Sequence, residues 1–150
     1  MTELTFTAHG NPKGQPRARA CIRGKHAGVY DPGTADDWKM IVRCAAKAKW
    51  DGVPFDGPTM IACLFVFARP KSHFRKNGEL KPDAPSWHTS RPDGDNLTKL
   101  IFDSITSAGI LRDDCIVCSS STEKRYALQG ELPGVHALVR LLAGLTNPTH

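Results

Sequence analysis

The segment between residues 91 and 114 constrains this chain most, because it combines a turn, a helical pattern and a dense set of carboxylates. Asp93 and Asp95 flank one glycine and, if the segment is extended, their side chains point to the same side about 7 Å apart. Asn96 is predicted to cap a helix that ends at Gly109. An apolar stripe at helical spacing supports this helix and consists of Leu97, Leu100, Ile101, Ile105 and Ala108.

A lysine and a further acid share one edge of this predicted helix. Lys99 lies four residues after Asp95 and four before Asp103, and residues four apart are neighbours on a helix surface. Beyond the helix, the chain turns back to Asp113 and Asp114, just before an apolar pair that is expected to open a strand. We therefore expect a third acid, from this pair, to meet the first two.

Such a gathering of carboxylates predicts a bound cation. Carboxylates repel each other by about 1 to 4 kcal/mol per pair near contact, depending on the local dielectric. Oxygen ligands without cysteine or histidine favour Mg²⁺, or Mn²⁺ as a substitute, over zinc. These ions polarise a phosphodiester and activate water, while a lysine can neutralise the charge that develops on the phosphorus centre. The pattern thus predicts a metal-dependent phosphodiesterase site, formed by Asp93, Asp95 and an acid of the returning pair, with Lys99 on the same edge.

Other interpretations of the acidic segment fit less well. An EF-hand loop would need an acid or amide at its fifth position and a glutamate at its twelfth, where Leu97 and Ser104 stand. A haloacid-dehalogenase-type nucleophile would follow a buried strand, whereas residues 87–92 are mainly polar. Most Asp-Gly-Asp-Asn strings are simply polar turns. The added lysine and the returning acid pair favour a site over a turn.

The motifs of this chain resemble those of the RusA-type crossover-junction endodeoxyribonucleases, nearly from end to end. The central match is Pro92-Asp93-Gly94-Asp95-Asn96-Leu97-x-Lys99-x-x-x-Asp103, followed by Gly109-Ile110-Leu111-x-Asp113-Asp114-x-x-Val117 and Lys124. Outside this centre the similar segments are Gly10-x-Pro12-Lys13-Gly14-x-Pro16-Arg17, Tyr30-Asp31-Pro32, Trp38-Lys39, Arg69-Pro70-Lys71 and Pro133-Gly134-Val135.

The resemblance implies a magnesium-dependent homodimer that resolves four-way (Holliday) DNA junctions by symmetric nicks in two strands. The metal-binding acids of that family match Asp93, Asp95 and Asp114, and its catalytic lysine matches Lys99. The neighbouring acids Asp103 and Asp113 are expected to support the ligands. One departure is Gln15, where many members carry a basic residue.

The distribution of charge is consistent with a polyanionic partner. The chain has a formal net charge of +5, and its basic residues form two groups outside the acidic segment. The first group lies within residues 1–25 and the second within residues 69–76. The predicted DNA-binding residues from these groups are Lys13, Arg17, Arg19, Arg69, Lys71, Arg75 and Lys76.

The expected architecture is one α+β domain over residues 1–150, with two main helices packed on a mixed or mainly antiparallel sheet. Strands are predicted at residues 4–8, 60–68, 116–126 and 135–141. A first helix, capped by Thr34, should bury an apolar stripe. This stripe consists of Trp38, Ile41, Val42, Ala45 and Ala48. A proline-rich loop over about residues 70–92 is expected to be flexible and to order on DNA, and the tail after about residue 144 is expected to be loose.

The remaining features of the sequence concern the cellular location of the protein and the other functions that it could have. Five cysteines, an odd number, and the absence of a signal-peptide pattern predict a reducing cytoplasm, bacterial or phage-encoded. No run of about 18 apolar residues occurs in the sequence. Two other functions stay open at this point: another metal-dependent DNA nuclease that acts on flaps or nicks duplexes, and a DNA-binding module without catalysis.

Overall fold

The computed structural model of this chain describes residues 3–16, 19–23, 26–30, 35–50 and 52–148, with the backbone alone at 19–23 and 26–30. The elements in these ranges are β1 (Glu3–His9), β2 (Arg19–Arg23), β3 (His26–Tyr30), α1 (Asp36–Lys49), β4 (Thr59–Phe67), α2 (Gly94–Ser107), β5 (Val117–Tyr126) and β6 (Gly134–Leu141). Two 3-10 turns occur at Lys71–His73 and Asp114–Ile116.

The main sheet is mixed and has the strand order β1-β6-β4-β5. Strand β6 is antiparallel to both β1 and β4, whereas β4 and β5 are parallel. Parallel neighbours require a long crossover connection, and α2 lies within this one. Strands β2 and β3 form a separate antiparallel pair. The α+β class with two helices on a mixed sheet is thus confirmed.

Rows of apolar side chains across the sheet form the floor of the core. Leu4, Val139 and Ile61 occupy one row of the register and are all buried. In β1, buried and exposed residues alternate without a break, because successive side chains of a strand point to opposite faces. The predicted one-sided strand at the start of the chain is therefore confirmed.

Helix α1 buries a stripe that differs from the predicted one. Trp38, Val42 and Ala46 are buried, whereas Ile41 is 40% exposed and Ala48 is exposed. A straight helix presents only one such stripe to the sheet, and the spacing 38, 42, 46 leaves the other two positions on its edge. Thr34 lies outside the described residues, and the residue at the N-cap position is Ala35, which makes no side-chain capping bond.

Helix α2 confirms the predicted stripe and corrects the predicted start. Leu97, Leu100, Ile101 and Ile105 are buried and Ala108 is half-buried. Gly109 ends the helix with a φ of 79°, which favours glycine. The helix begins at Gly94, so the N-cap position belongs to Asp93 and Asn96 lies in the first turn. The prediction that Asn96 caps the helix was therefore wrong, as was the extended backbone between Asp93 and Asp95.

The loop from residue 70 to residue 92 lacks long regular elements but lies against the end of β5. The backbone N–H of Tyr126 donates to the carbonyl of Ser86 (2.9 Å), and that of His88 donates to the carbonyl of Lys124 (3.1 Å). Within the loop, a short bridge joins Phe74 to Leu80. The loop thus delivers residues 86–90 to the strand that also packs against the start of α2. Its predicted ordering on DNA remains a prediction.

Candidate active site

The first two acids of the motif lie at the beginning of α2. Asp93 is in the N-cap position with extended backbone, and Asp95 is in the first helical turn. Both side chains are exposed. Unpaired backbone N–H groups give the N-terminus of a helix a partial positive charge, which favours carboxylates there. This end of α2 therefore presents two carboxylates to solvent at a place where their charge is tolerated.

The start of α2 rests on the helix-facing side of β5. A β-carbon added to Gly94 would lie 3.5 Å from the methyl group of Thr122 and 4.0 Å from Cδ of Lys124. One turn later, the hydroxyl groups of Thr98 and Thr122 are hydrogen-bonded at 2.5 Å. The first turn of α2 therefore packs beside Thr122 and Lys124 of β5.

The N-terminal loop holds the same turn from another side. The backbone N–H of Gln15 donates to the carbonyl of Asn96 (2.9 Å), and a β-carbon added to Gly14 would lie only 3.0 Å from that of Asn96. Together with Arg91, Pro92 and Asp93 these residues line a cleft of about 450 Å³. Oε1 of Gln15 is buried and has no hydrogen-bond partner among the described residues. Asp93 thus lies at the edge of an open cleft that the N-terminal loop helps to form.

Lys99 and Asp103 follow Asp95 along one edge of α2, as predicted. Lys99 is exposed and Asp103 is half-buried. An α-helix rises about 1.5 Å per residue, so the four-residue steps from Asp95 to Lys99 and from Lys99 to Asp103 each cover about 6 Å along its axis. The edge therefore carries a cation midway between two acids.

The other two acids lie in the 3-10 turn that precedes β5. A side-chain oxygen of Asp113 accepts a hydrogen bond from the backbone N–H of Cys115 (3.0 Å), and this bond lowers the pKa of Asp113. The pKa of Asp114 is raised, first by its hydrogen bond with Asp113, then by desolvation, and further by the charges of Asp113 and Asp103. Asp114 thus lies among like charges near the later part of α2.

The predicted meeting of Asp93, Asp95 and Asp114 is not present as a preformed cluster. Among the residues that the structure describes, no group of three or more acidic, histidine or cysteine side chains is placed to hold a metal ion. Asp114 instead interacts with Asp113 and Asp103. The assignment of Asp93, Asp95 and Asp114 as joint ligands therefore stays a prediction.

Lys124 is a second cation beside the start of α2, and sequence reasoning assigned it no role beyond its place in the motif. Its ammonium group donates to the carbonyl of Ser90 (2.7 Å), three residues before Asp93. Burial lowers the pKa of His88, and the nearby charge of Lys124 lowers it further. The alternation of β5 could have placed Lys124 on the same face as Thr122, but nothing in the sequence indicated that this face meets Gly94.

The basic residues predicted to bind DNA have different surroundings. Lys71, Arg75 and Lys76 are exposed on the loop after β4, and Lys13 is exposed on the N-terminal loop. Arg17 lies outside the described residues, and the side chain of Arg19 is likewise not described. Their contacts with DNA remain predictions.

Arg69 is engaged within the fold. Its guanidinium group donates to the carbonyls of Ala127 (3.0 Å) and Pro85 (2.8 Å) and lies 5.4 Å from the ring centre of Tyr126. Nearby, the rings of His88 and Phe67 are stacked with centroids 3.8 Å apart. Arg69 therefore fastens the loop of residues 70–92 to the end of β5, whatever contact it makes with DNA.

Comparison with known protein families identifies the family of this chain. The family model described as Endodeoxyribonuclease RusA matches residues 9–136 of the 150-residue chain. The chain therefore belongs to the RusA endodeoxyribonuclease family, whose members act on Holliday junction DNA. No curated protein matches the sequence. Within the described part of the chain, no helix is long and apolar enough to cross a membrane.

Proposed function

We propose that this endodeoxyribonuclease depends on a divalent metal ion, Mg²⁺ or its substitute Mn²⁺, and resolves four-way junctions by paired symmetric nicks during recombination and repair. The observation that carries the proposal is the placement of Asp93 and Asp95 at the N-terminus of α2, with Lys99 one turn further along the same edge. The family match supports junction DNA as the substrate.

The chemistry of the acidic side chains fits a hard divalent cation. Asp93, Asp95 and Asp114 are exposed, so their carboxylates can turn toward an ion without leaving a packed core. The pKa of Asp114 is raised first by its hydrogen bond with Asp113 and by desolvation, and then by the charges of Asp113 and Asp103, a repulsion that a cation relieves. We assign these three residues as the ligands. When bound, such an ion polarises the phosphodiester and lowers the pKa of water.

The side chains around the acids supply the remaining functions. Lys99 is exposed on the edge of α2 and provides a positive charge for the phosphate oxygens as negative charge accumulates on them. Asp103 and Asp113 support Asp114 by adding negative charge beside it, which strengthens the attraction of this place for a cation. The exposed lysines and arginines of residues 71–76 contact the DNA backbone.

Dimerisation is part of the proposal, because one site cuts one strand. Symmetric cleavage of two strands requires two sites related by a two-fold axis, and a homodimer provides this relation. The proposed location is the bacterial cytoplasm. Cys44, Cys63, Cys115 and Cys118 are free thiols, which suits a reducing compartment.

The test is cleavage of a synthetic mobile four-way junction with and without Mg²⁺. We expect two symmetric nicks that require the metal ion, and a junction that outcompetes linear duplex at equal salt concentration. Equal cleavage of linear duplex would instead indicate a general nuclease, and binding without cleavage would indicate a DNA-binding module.

A readout independent of activity is the thermal unfolding of the protein. Mg²⁺ should raise the unfolding temperature, because a ligand that binds the folded state alone stabilises it. The Asp93→Asn variant should show a smaller shift, since it lacks one proposed ligand. An equal shift in both proteins would remove Asp93 from the ligand set.

A further inference from the structure

The side chain of Lys124 connects three segments that meet at the start of α2. It extends from β5 past Gly94, with Cδ at 4.0 Å from the position of an added β-carbon, and its ammonium group reaches the carbonyl of Ser90 at 2.7 Å. The backbone carbonyl of Lys124 also accepts a hydrogen bond from the N–H of His88. Lys124 thus joins the strand, the loop before the acids and the first residue of the helix.

These contacts fix the turn that carries the acids. Ser90 and Gly94 bracket Asp93, so a side chain that is hydrogen-bonded at Ser90 and passes beside Gly94 restricts where the carboxylate of Asp93 can lie. Asp95 follows Gly94 directly in the first helical turn.

Arg125, the next residue on β5, has a different environment from Lys124. Successive side chains of a strand point to opposite faces, and Arg125 forms an ion pair with Glu131 on the other face of β5. On the helix side, Lys124 donates to a backbone carbonyl and forms no salt bridge with a carboxylate of the described residues. Its ammonium group is therefore engaged by the segment that leads into the acidic turn.

We propose that Lys124 is a positioning residue of the nuclease site, which holds the turn of residues 90–95 against β5 and keeps the carboxylates of Asp93 and Asp95 in place for cleavage. This inference rests on the proposed function. It adds a second lysine to the site, distinct from Lys99, which is assigned to the phosphate.

The experiment compares Lys124→Met, Lys124→Gln and Lys124→Arg with the wild-type enzyme. We expect the single-turnover cleavage rate of the first two variants to fall about tenfold or more, while junction affinity without metal changes by less than about threefold. Lys124→Arg should recover part of the rate, because a guanidinium group can also donate to the carbonyl of Ser90. Lys47→Met, on the exposed side of α1, is the matched control.

A second measurement reports position without activity. Hydrogen exchange of the backbone amides in residues 90–96 should become faster in Lys124→Met and stay unchanged in Lys47→Met. If Lys124→Met does not fold, Lys124→Gln and Lys124→Arg carry the comparison.

Three results would overturn the inference. An active wild-type enzyme with unchanged rates in Lys124→Met and Lys124→Gln shows that Lys124 does not position the acids. A loss of affinity at unchanged rate shows that it grips DNA instead. A wild-type protein that cleaves no junction in Mg²⁺ refutes the proposed function, and the role of Lys124 falls with it.

Discussion

The charged side chains near the two faces of β5 have different surroundings. On the outer face, Arg125 and Glu131 form a two-pronged ion pair with distances of 2.5 and 2.8 Å, and both side chains are largely covered. On the helix side, Lys124 lies beside a turn with two exposed carboxylates, Asp93 and Asp95. Charged side chains that pair with each other within the chain stabilise the fold, whereas charged side chains exposed to solvent can contact a substrate.

The largest expected effect is on the helix side of β5, where the carboxylate of Asp93 is exposed to solvent. The Asp93→Asn substitution should lower the cleavage rate by about 10³-fold, equivalent to about 4 kcal/mol in the activation barrier, because it removes a proposed metal ligand. Junction binding should persist. Asp114→Asn should behave alike, and gel-based cleavage and binding assays check both. Unaltered cleavage by either variant would remove that residue from the site.

Lys99→Ala should have the next largest effect. We expect a fall of about 10²-fold in cleavage rate with a smaller change in affinity, because the lysine stabilises charge that develops only during the reaction. Single-turnover kinetics and junction titrations separate the two quantities. A pure loss of affinity would reassign Lys99 to substrate binding.

On the outer face of β5, Glu131→Gln should lower the free energy of unfolding and leave the cleavage rate unchanged. The ion pair with Arg125 lowers the pKa of Glu131 to about 2. A depressed carboxyl pKa contributes stability that is present above the unfolded value, near 4.5, and is lost as the pH falls toward 2. We expect the variant to lose about 1 to 2 kcal/mol of unfolding free energy at pH 7.

The pH dependence of that difference is the control. Urea unfolding of both proteins should give free energies that converge as the pH falls from 4.5 toward 2, because protonation then breaks the pair in the wild type as well. A difference that is constant over this range would exclude the ion pair as its source.

The smallest expected effect lies at the hydrogen bond between Thr98 of α2 and Thr122 of β5. Thr122→Val should lower the free energy of unfolding by about 1 kcal/mol, because it leaves the hydroxyl of Thr98 without its partner. Ser119→Ala, at an exposed position of the same strand, is the control and should be neutral. Thermal unfolding measures both. Equal stability of Thr122→Val and wild type would show that the bond contributes nothing.

The sequence predicted the elements of this fold better than their ends. The alternation in β1 and the apolar stripe of α2 each repeat over several residues, so a periodic signal identifies them. The start of α2 was misplaced by three residues, because Asn96 has the side chain of a typical cap, whereas the N-cap position belongs to Asp93.

The site was predictable in its residue types and less so in its geometry. Helical spacing places Lys99 between Asp95 and Asp103, as the structure has it. The position of Asp114 depends on how the chain turns after Gly109, and the contribution of Lys124 depends on which face of β5 meets α2. Both depend on packing between distant segments, which local patterns do not encode.

The parallel pairing of β4 with β5 has a consequence for how the acidic motif acquires its surroundings. Because α2 belongs to the crossover between these strands, its first turn finds Thr122 and Lys124 only after the sheet has assembled. A chain that has lost its sheet keeps the acidic motif but not the surroundings that orient it. The placement of the acids thus depends on the pairing of a strand that follows them in the sequence.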